Sequence, residues 1–408
     1  MAVLRPHRFA LQTTREVPYL MKERLARARE AQASKTGWVA WHWAVSPSEV
    51  LRAFGIYTFM VEYHAGYLAA KGEVVPYLEE AEARGFPRDA CSLHKACLGH
   101  SLIGAQANIP DPDFLLASTS CDSTAKALFA LADHFSVPYY LIDIPLNTKA
   151  GDGSQVEEFR VKYYATQLGE LVERLEALTG RPLPEGALAG TFSLAARCYQ
   201  LWGEINQLRR AVPSPMGATD DTAALGVLMN FPGTPEGVTF MERLRDEVAE
   251  RVRSGQGVIP DERHRLLWLG PSITHDMSLY NFFEELGSVV VKCELDYLYS
   301  GVLSGPLDPH NPLESMARKQ IAHLYNGISE NRVDVARRLV EEFQADGVVF
   351  YCNWFCRLLG GNQRAIKEAI SADYGVPLLV IDGDCVDPRS YTGDQVRSSI
   401  EDFVDMLG

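Results

Sequence analysis

The chain of 408 residues is short of positive charge: 39 Lys and Arg stand against 53 Asp and Glu, a net charge of −14. Nucleic acid or an anionic membrane calls for a basic footprint, so the balance argues against both partners. It leaves room for a local basic pocket that takes a phosphate-bearing ligand. Long apolar runs are also missing. The N-terminal "MAVLRPHRFALQTTREVPYLMKERLARAREAQ" has no continuous apolar core of signal-peptide type. The most apolar later stretch, "ALFALADHFSVPYYLIDIPL", is interrupted by Asp133, His134 and Asp143 and does not read as a membrane span. A soluble cytoplasmic protein is the expectation. No G-x-S-x-G, Walker A or H-E-x-x-H motif occurs. There is no C-x2-C pair, and no histidines stand at useful ligand spacing. A zinc ribbon and a zinc-dependent hydrolase are therefore disfavoured.

What is present is enough for sizeable cores: 47% of the residues are apolar. Residues 1–34 read as a helical segment rich in strong helix formers. From 35 to 150 strands alternate with helices: strand "TGWVAWHW", helix "SPSEVLRAFGI" with Ser46 as N-cap and Pro47 at its first position, helix "VVPYLEEAEARGF", strand "DFLLAST", helix "STAKALFALADHF" and strand "PYYLIDIP". Residues 151–262 form a helical section containing the turn "VPSPMGATD". Alternation resumes over 263–408, with strands "RLLWLG", "SVVVKCEL", "GVVFYC" and "PLLVIDGD" and a closing helix "DQVRSSIEDFVDML". The expected class is α/β: two Rossmann-like parallel-sheet domains, an intervening helical section and an N-terminal helical segment.

Eight cysteines are present, and a cytoplasmic chain does not use them as a disulfide framework. Cys198 and Cys293 sit in patterns of buried small hydrophobes. Cys121 and Cys356 are different. Residues 113–143 and 346–382 share a plan: Asp, an apolar strand, a cysteine, a helix, then Val-Pro and a strand ending Ile-Asp. In an open parallel sheet, ligands bind beyond the carboxyl ends of the strands, where helix N-termini favour anions. A thiolate-ligated iron–sulfur cluster is such an anion. Spacing alone leaves a cluster site and buried or redox thiols both open, and with them a metal-free α/β binding module.

At these cysteines the chain resembles a known family, the 2-hydroxyacyl-CoA dehydratases and benzoyl-CoA reductases. The resemblance runs from about residue 35 to the C-terminus, on "TGWVAW…SPSEVLRAFGI", "EARGFPRDACSLHKACLG", "DFLLASTSCDS", "VPYYLIDIP", "VPSPMGATD", "NWFCR" and "VPLLVIDGDCVDPRSYTGDQVRSSIEDFVDML". It implies an α-like, substrate-binding subunit whose two Rossmann-like domains hold a [4Fe–4S] cluster on Cys91, Cys121 and Cys356. The fourth iron position is then open to the thioester oxygen. It implies one-electron reduction of an acyl-CoA by a separate ATP-dependent activator, a ketyl radical anion and loss of water. It also implies a partner: a homologous β-like subunit or a second copy.

Glu62 in "MVEYHAG" matches a carboxylate that relatives place near the cluster; Glu49, His64 and His42 are further candidates for acid–base work. The segment "GWVAWHWAVSPSE" departs from the dehydratase pattern through bulky Trp41 and Trp43, which favours an aryl substrate and ring reduction as an alternative. Cys97 and Cys352 lie beside the expected ligands, and with Cys385 there would be six cysteines near the site. They keep open a double-cubane [8Fe–9S] variant of the same family.

Overall fold

Apolar runs such as "FLLAS" and "GVVFY" suit the interior of a parallel sheet, where both faces are covered. In the computed structural model, which describes residues 7–103, 109–149, 155–297, 305 and 307–408, such runs build two four-stranded sheets. The first begins after helix α1 (Val17–Ala33), with β1 (Val39–His42), α2 (Ser48–Ala53), β2 (Tyr57–Met60), α3 (Val61–Ala70), α4 (Val75–Ala83) and α5 (Ser92–Ile103). Strand β3 (Phe114–Ser118), α6 (Asp122–Phe135) and β4 (Tyr139–Ile142) complete it. Helices α7 (Glu158–Thr179), α8 (Ala187–Leu208), α9 (Ala218–Asn230) and α10 (Pro235–Ser254) follow.

The second sheet takes β5 (His264–Leu269), α11 (Ser278–Glu285), β6 (Ser288–Cys293), α12 (Glu294–Tyr297), α13 (Pro312–Ile321) and α14 (Ser329–Phe343). It ends with β7 (Gly347–Asn353), α15 (Arg357–Gly360), α16 (Gln363–Tyr374), β8 (Leu378–Gly383) and α17 (Gly393–Leu407). The expected class stands: the chain is α/β with two parallel sheets. The expected boundary at residue 150 falls outside the described residues.

The strand orders are β2-β1-β3-β4 and β6-β5-β7-β8, parallel throughout. These are one pattern used twice, so the repeated plan in the sequence is a repeated crossover: β3-α6-β4 and β7-α15-α16-β8. In each sheet the chain changes direction between the first and third strands, and a crevice opens there beyond the carboxyl ends. Alternation along β3 divides its side chains between two layers. Leu115 and Ala117 join a core that also holds Trp268, Val349 and Tyr351 of the second sheet. Phe114 and Leu116 instead pack with Val161, Tyr164 and Leu168 of α7 and Met316 of α13. Helices α8 to α10 make a separate core with Leu11 and Val17. Cys198 and Cys293 are buried, as their patterns suggested.

Several details differ from the sequence reading: α9 already begins at Ala218, within the expected turn "VPSPMGATD", and α3, α13 and α14 were not anticipated. Ser48 opens α2 and Pro47 takes the cap position, while Ser46 Oγ donates to the Leu116 carbonyl at 3.4 Å. Strand β2 was not foreseen, because "YTFM" runs into α3 with no breaking residue between them. Among the described residues, no helix is long and apolar enough to cross a membrane.

Candidate functional site

Three cysteines stand where a loop turns into a helix. Cys91 immediately precedes α5, and its carbonyl accepts the Lys95 N–H at 2.9 Å. Cys121 is the N-cap of α6 and Cys356 that of α15, each extended in backbone. A thiol at a cap has the first turn's N–H groups within reach. The Cys91 sulfur takes that of His94, and the Cys356 sulfur those of Leu359 and Leu358. Cys121 follows the third strand of the first sheet and Cys356 the third strand of the second. Together with Cys91 they line one cavity of about 610 Å³. The same wall carries Lys95, Lys126 and Arg357 against Asp89 and Asp122, with Phe86, Phe355 and Leu98 as its apolar part.

As bare thiols Cys91 and Cys356 resist ionisation. Burial pushes Cys91 up, and charge on Cys356, Cys121 and Asp384 pushes the same way. Burial also pushes Cys356 up. Asp384 comes from the loop after β8 and accepts the Ser92 hydroxyl at 2.6 Å. It thereby ties the start of α5 to the second sheet. Among the described residues, no three His, Cys, Asp or Glu side chains converge closely enough to hold a single metal ion.

Beside the thiols lies a polar chain. Glu62 is in the first turn of α3, and both its oxygens accept the Ala44 N–H at 3.2 Å. Its Oε1 is 3.3 Å from His94 Nε2, and His94 Nδ1 is 2.8 Å from Ser123 Oγ. His94 and Ser123 both line the thiol cavity. Sequence reasoning missed His94. The available signal was its place one helical turn after Cys91, on the same face of α5.

The other candidates are elsewhere. His64 does not line the cavity: its ring packs on His100 with centroids 4.8 Å apart, and burial pushes it down to about 3. Glu49 and His42 line a separate cavity of about 40 Å³ with Trp43, Tyr199 and Lys319. There Lys319 Nζ lies 2.7 Å from Glu49, and burial pushes His42 down to about 3. Trp41 donates from Nε1 to the Pro110 carbonyl and lines none of these spaces. The Cys97 thiol donates to the Val61 carbonyl at 2.9 Å. Cys385 is buried behind the cavity, and Cys352 lies in β7 beside Asp382. None of these three thiols, nor the "VPSPM" turn, is part of the cavity wall.

The family described as "2-hydroxyglutaryl-CoA dehydratase, D-component" matches residues 44–407. The chain belongs to this family. Among curated members, it is similar to the (R)-phenyllactyl-CoA dehydratase alpha subunit of Clostridium sporogenes, 26% identical over 92% of this chain and 90% of that one. The lactoyl-CoA dehydratase subunit alpha of Anaerotignum propionicum is 24% identical, with 93% of each chain covered. A benzoyl-CoA reductase subunit of Thauera aromatica is 25% identical over 88% of this chain and 86% of its own. As a dehydratase D-component family member the chain is an enzyme component, and the relatives' naming as subunits fits a multi-component system. Residues 1–43, with α1 and all of β1, lie before the matched part.

Proposed function

We propose that the chain is the cluster-bearing, α-like subunit of a 2-hydroxyacyl-CoA dehydratase. Cys91, Cys121 and Cys356 would be the ligands of a [4Fe–4S] cluster. The observation that carries the reading is three helix-capping thiols, drawn from both sheets, around one cavity. Their spread around a space of about 610 Å³ suits a polynuclear group better than a single ion. Backbone N–H groups and the basic residues Lys126 and Arg357 suit its negative charge. Iron would also offset the burial that disfavours the thiolates of Cys91 and Cys356.

Held by these cysteines, a cluster would supply one-electron reduction of a thioester and a Lewis-acid iron for its oxygen. The chain's own part is to position and to move protons. Glu62, one side chain behind the cavity wall, is held by the Ala44 N–H and faces His94, and its carboxylate would act as the base for a substrate proton. Ser123 fixes the His94 ring through Nδ1. Phe86, Phe355 and Leu98 exclude water from the wall. The electron would come from an ATP-dependent activator, and a homologous β-like subunit or a second copy would complete the enzyme.

A second reading, aryl-CoA ring reduction, draws on the similarity to a benzoyl-CoA reductase subunit; Trp43 itself is buried and does not line the thiol cavity. The positions of Cys97, Cys352 and Cys385 favour a single cluster over a double cubane. Anaerobically purified protein is expected to carry about four iron and four sulfide per chain, and about eight iron would select the double cubane. Assays with activator on 2-hydroxyacyl-CoA and benzoyl-CoA then separate the two reactions. No iron and no sulfide in protein never exposed to air would sink the reading and leave a metal-free binding module.

A further inference from the structure

A second cavity, of about 270 Å³, lies between α1, α2 and the start of α10. In a chain of net charge −14, its wall is cationic: Arg24, Arg27 and Arg52 against Glu23 and Glu236. The two carboxylates are already taken, since Arg27 binds Glu23 at 2.5 Å and Glu236 at 3.0 Å. Arg24 and Arg52 have no carboxylate hydrogen-bonded to them among the described residues. Arg24 donates to the Thr58 carbonyl and to Thr58 Oγ1, and lies over the Phe231 ring at 5.1 Å. Arg52 is 9% exposed and donates to Ser48 Oγ and the Asn230 carbonyl, while its buried Nε has no partner. Burial and then the charge of Arg52 push Arg24 down, so the two guanidinium groups oppose each other. Burying like charges side by side is costly unless an anion joins them. The 20-residue helix α10 also starts on this wall, its positive end adding to the field.

We propose that this cavity is a phosphate-ester site with Arg24 and Arg52 as its anion-binding residues, and that it holds the nucleotide end of the acyl-CoA. The second half of that statement rests on the acyl-CoA reading above. Coenzyme A carries its pyrophosphate and 3′-phosphate at one end and its thioester at the other. The molecule has a matching layout. Tyr57, at the start of β2, lines the arginine cavity, and Glu62 lies just past the end of that strand. A chain of contacts joins the two ends. Arg52 binds Ser48, Ser48 and Ala44 both line the cavity of about 40 Å³, and the Ala44 N–H binds Glu62. Arg24 and Arg27 precede residue 44, so this end of the site is built partly outside the family-matched region.

The test is calorimetric binding of CoA, pantetheine and pyrophosphate to the anaerobically purified full chain. Arg24→Gln is expected to weaken CoA by about tenfold or more and to leave pantetheine unchanged. Pyrophosphate is expected to compete with CoA. Glu236→Gln, at an exposed rim position, adds one net positive charge to the wall and is expected to tighten CoA; this variant decides the matter if Arg24→Gln does not fold. Unchanged CoA affinity in both folded variants would overturn the site while leaving the acyl-CoA reading intact. Pyrophosphate that binds through Arg24 without displacing CoA would overturn the CoA assignment and leave a free-phosphate site. No binding of CoA by the wild-type chain would instead overturn the acyl-CoA reading itself.

Discussion

At the scale of single residues, His94 links the thiol cavity to Glu62, and the two side chains have separable duties. Glu62→Gln keeps the hydrogen bond from Ala44 but removes the base. Turnover is expected to fall about 100-fold or more with iron content unchanged, as read by steady-state assay beside iron analysis. His94→Ala only frees the carboxylate to turn, so a smaller loss of about 10- to 100-fold is expected. Equal losses in the two variants would show that His94 itself handles the proton. Cysteine variants divide by the cavity wall: Cys91→Ser, Cys121→Ser and Cys356→Ser are each expected to lose iron, and Cys352→Ser to retain it. A Cys352→Ser chain without iron would bring back the larger cluster. Cys121 and Cys356 stood out in the sequence because motif and strand end coincide there, while Cys91, between α4 and α5, was named through the family motif alone. The choice of histidine could not, since it depends on helix facing. His64 and Glu62 are two residues apart on α3 and point to different neighbours.

At the scale of elements, α5 carries both Cys91 and His94, and its position depends on contact with α4. A Cβ added at Gly99 would lie 1.7 Å from the Tyr77 carbonyl oxygen. Gly99→Ala is therefore expected to cost about 3 kcal/mol or more, measured by denaturant unfolding, because backbone cannot yield as a side chain does. The same pair of helices is latched to the second sheet. Arg389, from beyond β8, binds Glu82 of α4 at 2.6 Å, and Lys95 of α5 binds it at 2.7 Å. Hydrogen bonding from Arg389, followed by that from Lys95, holds the Glu82 carboxyl down at about 2 from an ordinary 4.5. An acid with a depressed folded-state value stabilises the fold above its unfolded value, and that contribution is lost as pH falls towards 2. Arg389→Gln should thus lower the melting temperature clearly at pH 7 and much less at pH 3. Equal losses at both would show the latch to be packing alone. Most elements were legible in the sequence because their periodicity is strong. Strand β2 and the true start of α2 were not, because each is decided by what the neighbouring chain covers and by where a hydroxyl finds its acceptor.

At the scale of the molecule, the cavity belongs to both sheets: two of its thiols follow elements of the first and one follows the second. Cluster loading is therefore expected to tie the halves together. Hydrogen exchange should slow at 92–96 and at 357–361 on loading, and chelation of iron should restore it at both places together. A change at one place alone would mean that the three thiols do not share a ligand. The α/β class and the repeated crossover were visible in the sequence as a repeated plan, but the strand order was not, since it includes the unforeseen β2. The small Glu49 cavity and the arginine cavity were not, because residues 20–57 meet residues 199–236 only in the folded chain. The division of the thiols also has a bearing on biosynthesis. Cys356 leaves the ribosome 235 residues after Cys121, a delay of about 12–47 s at ~5–20 residues per second. Throughout that interval the first two thiols exist without the third. If the proposed cluster is held there, its insertion would be a late event in the life of the chain, and the nascent first half would need shielding from oxidation until its counterpart has been made.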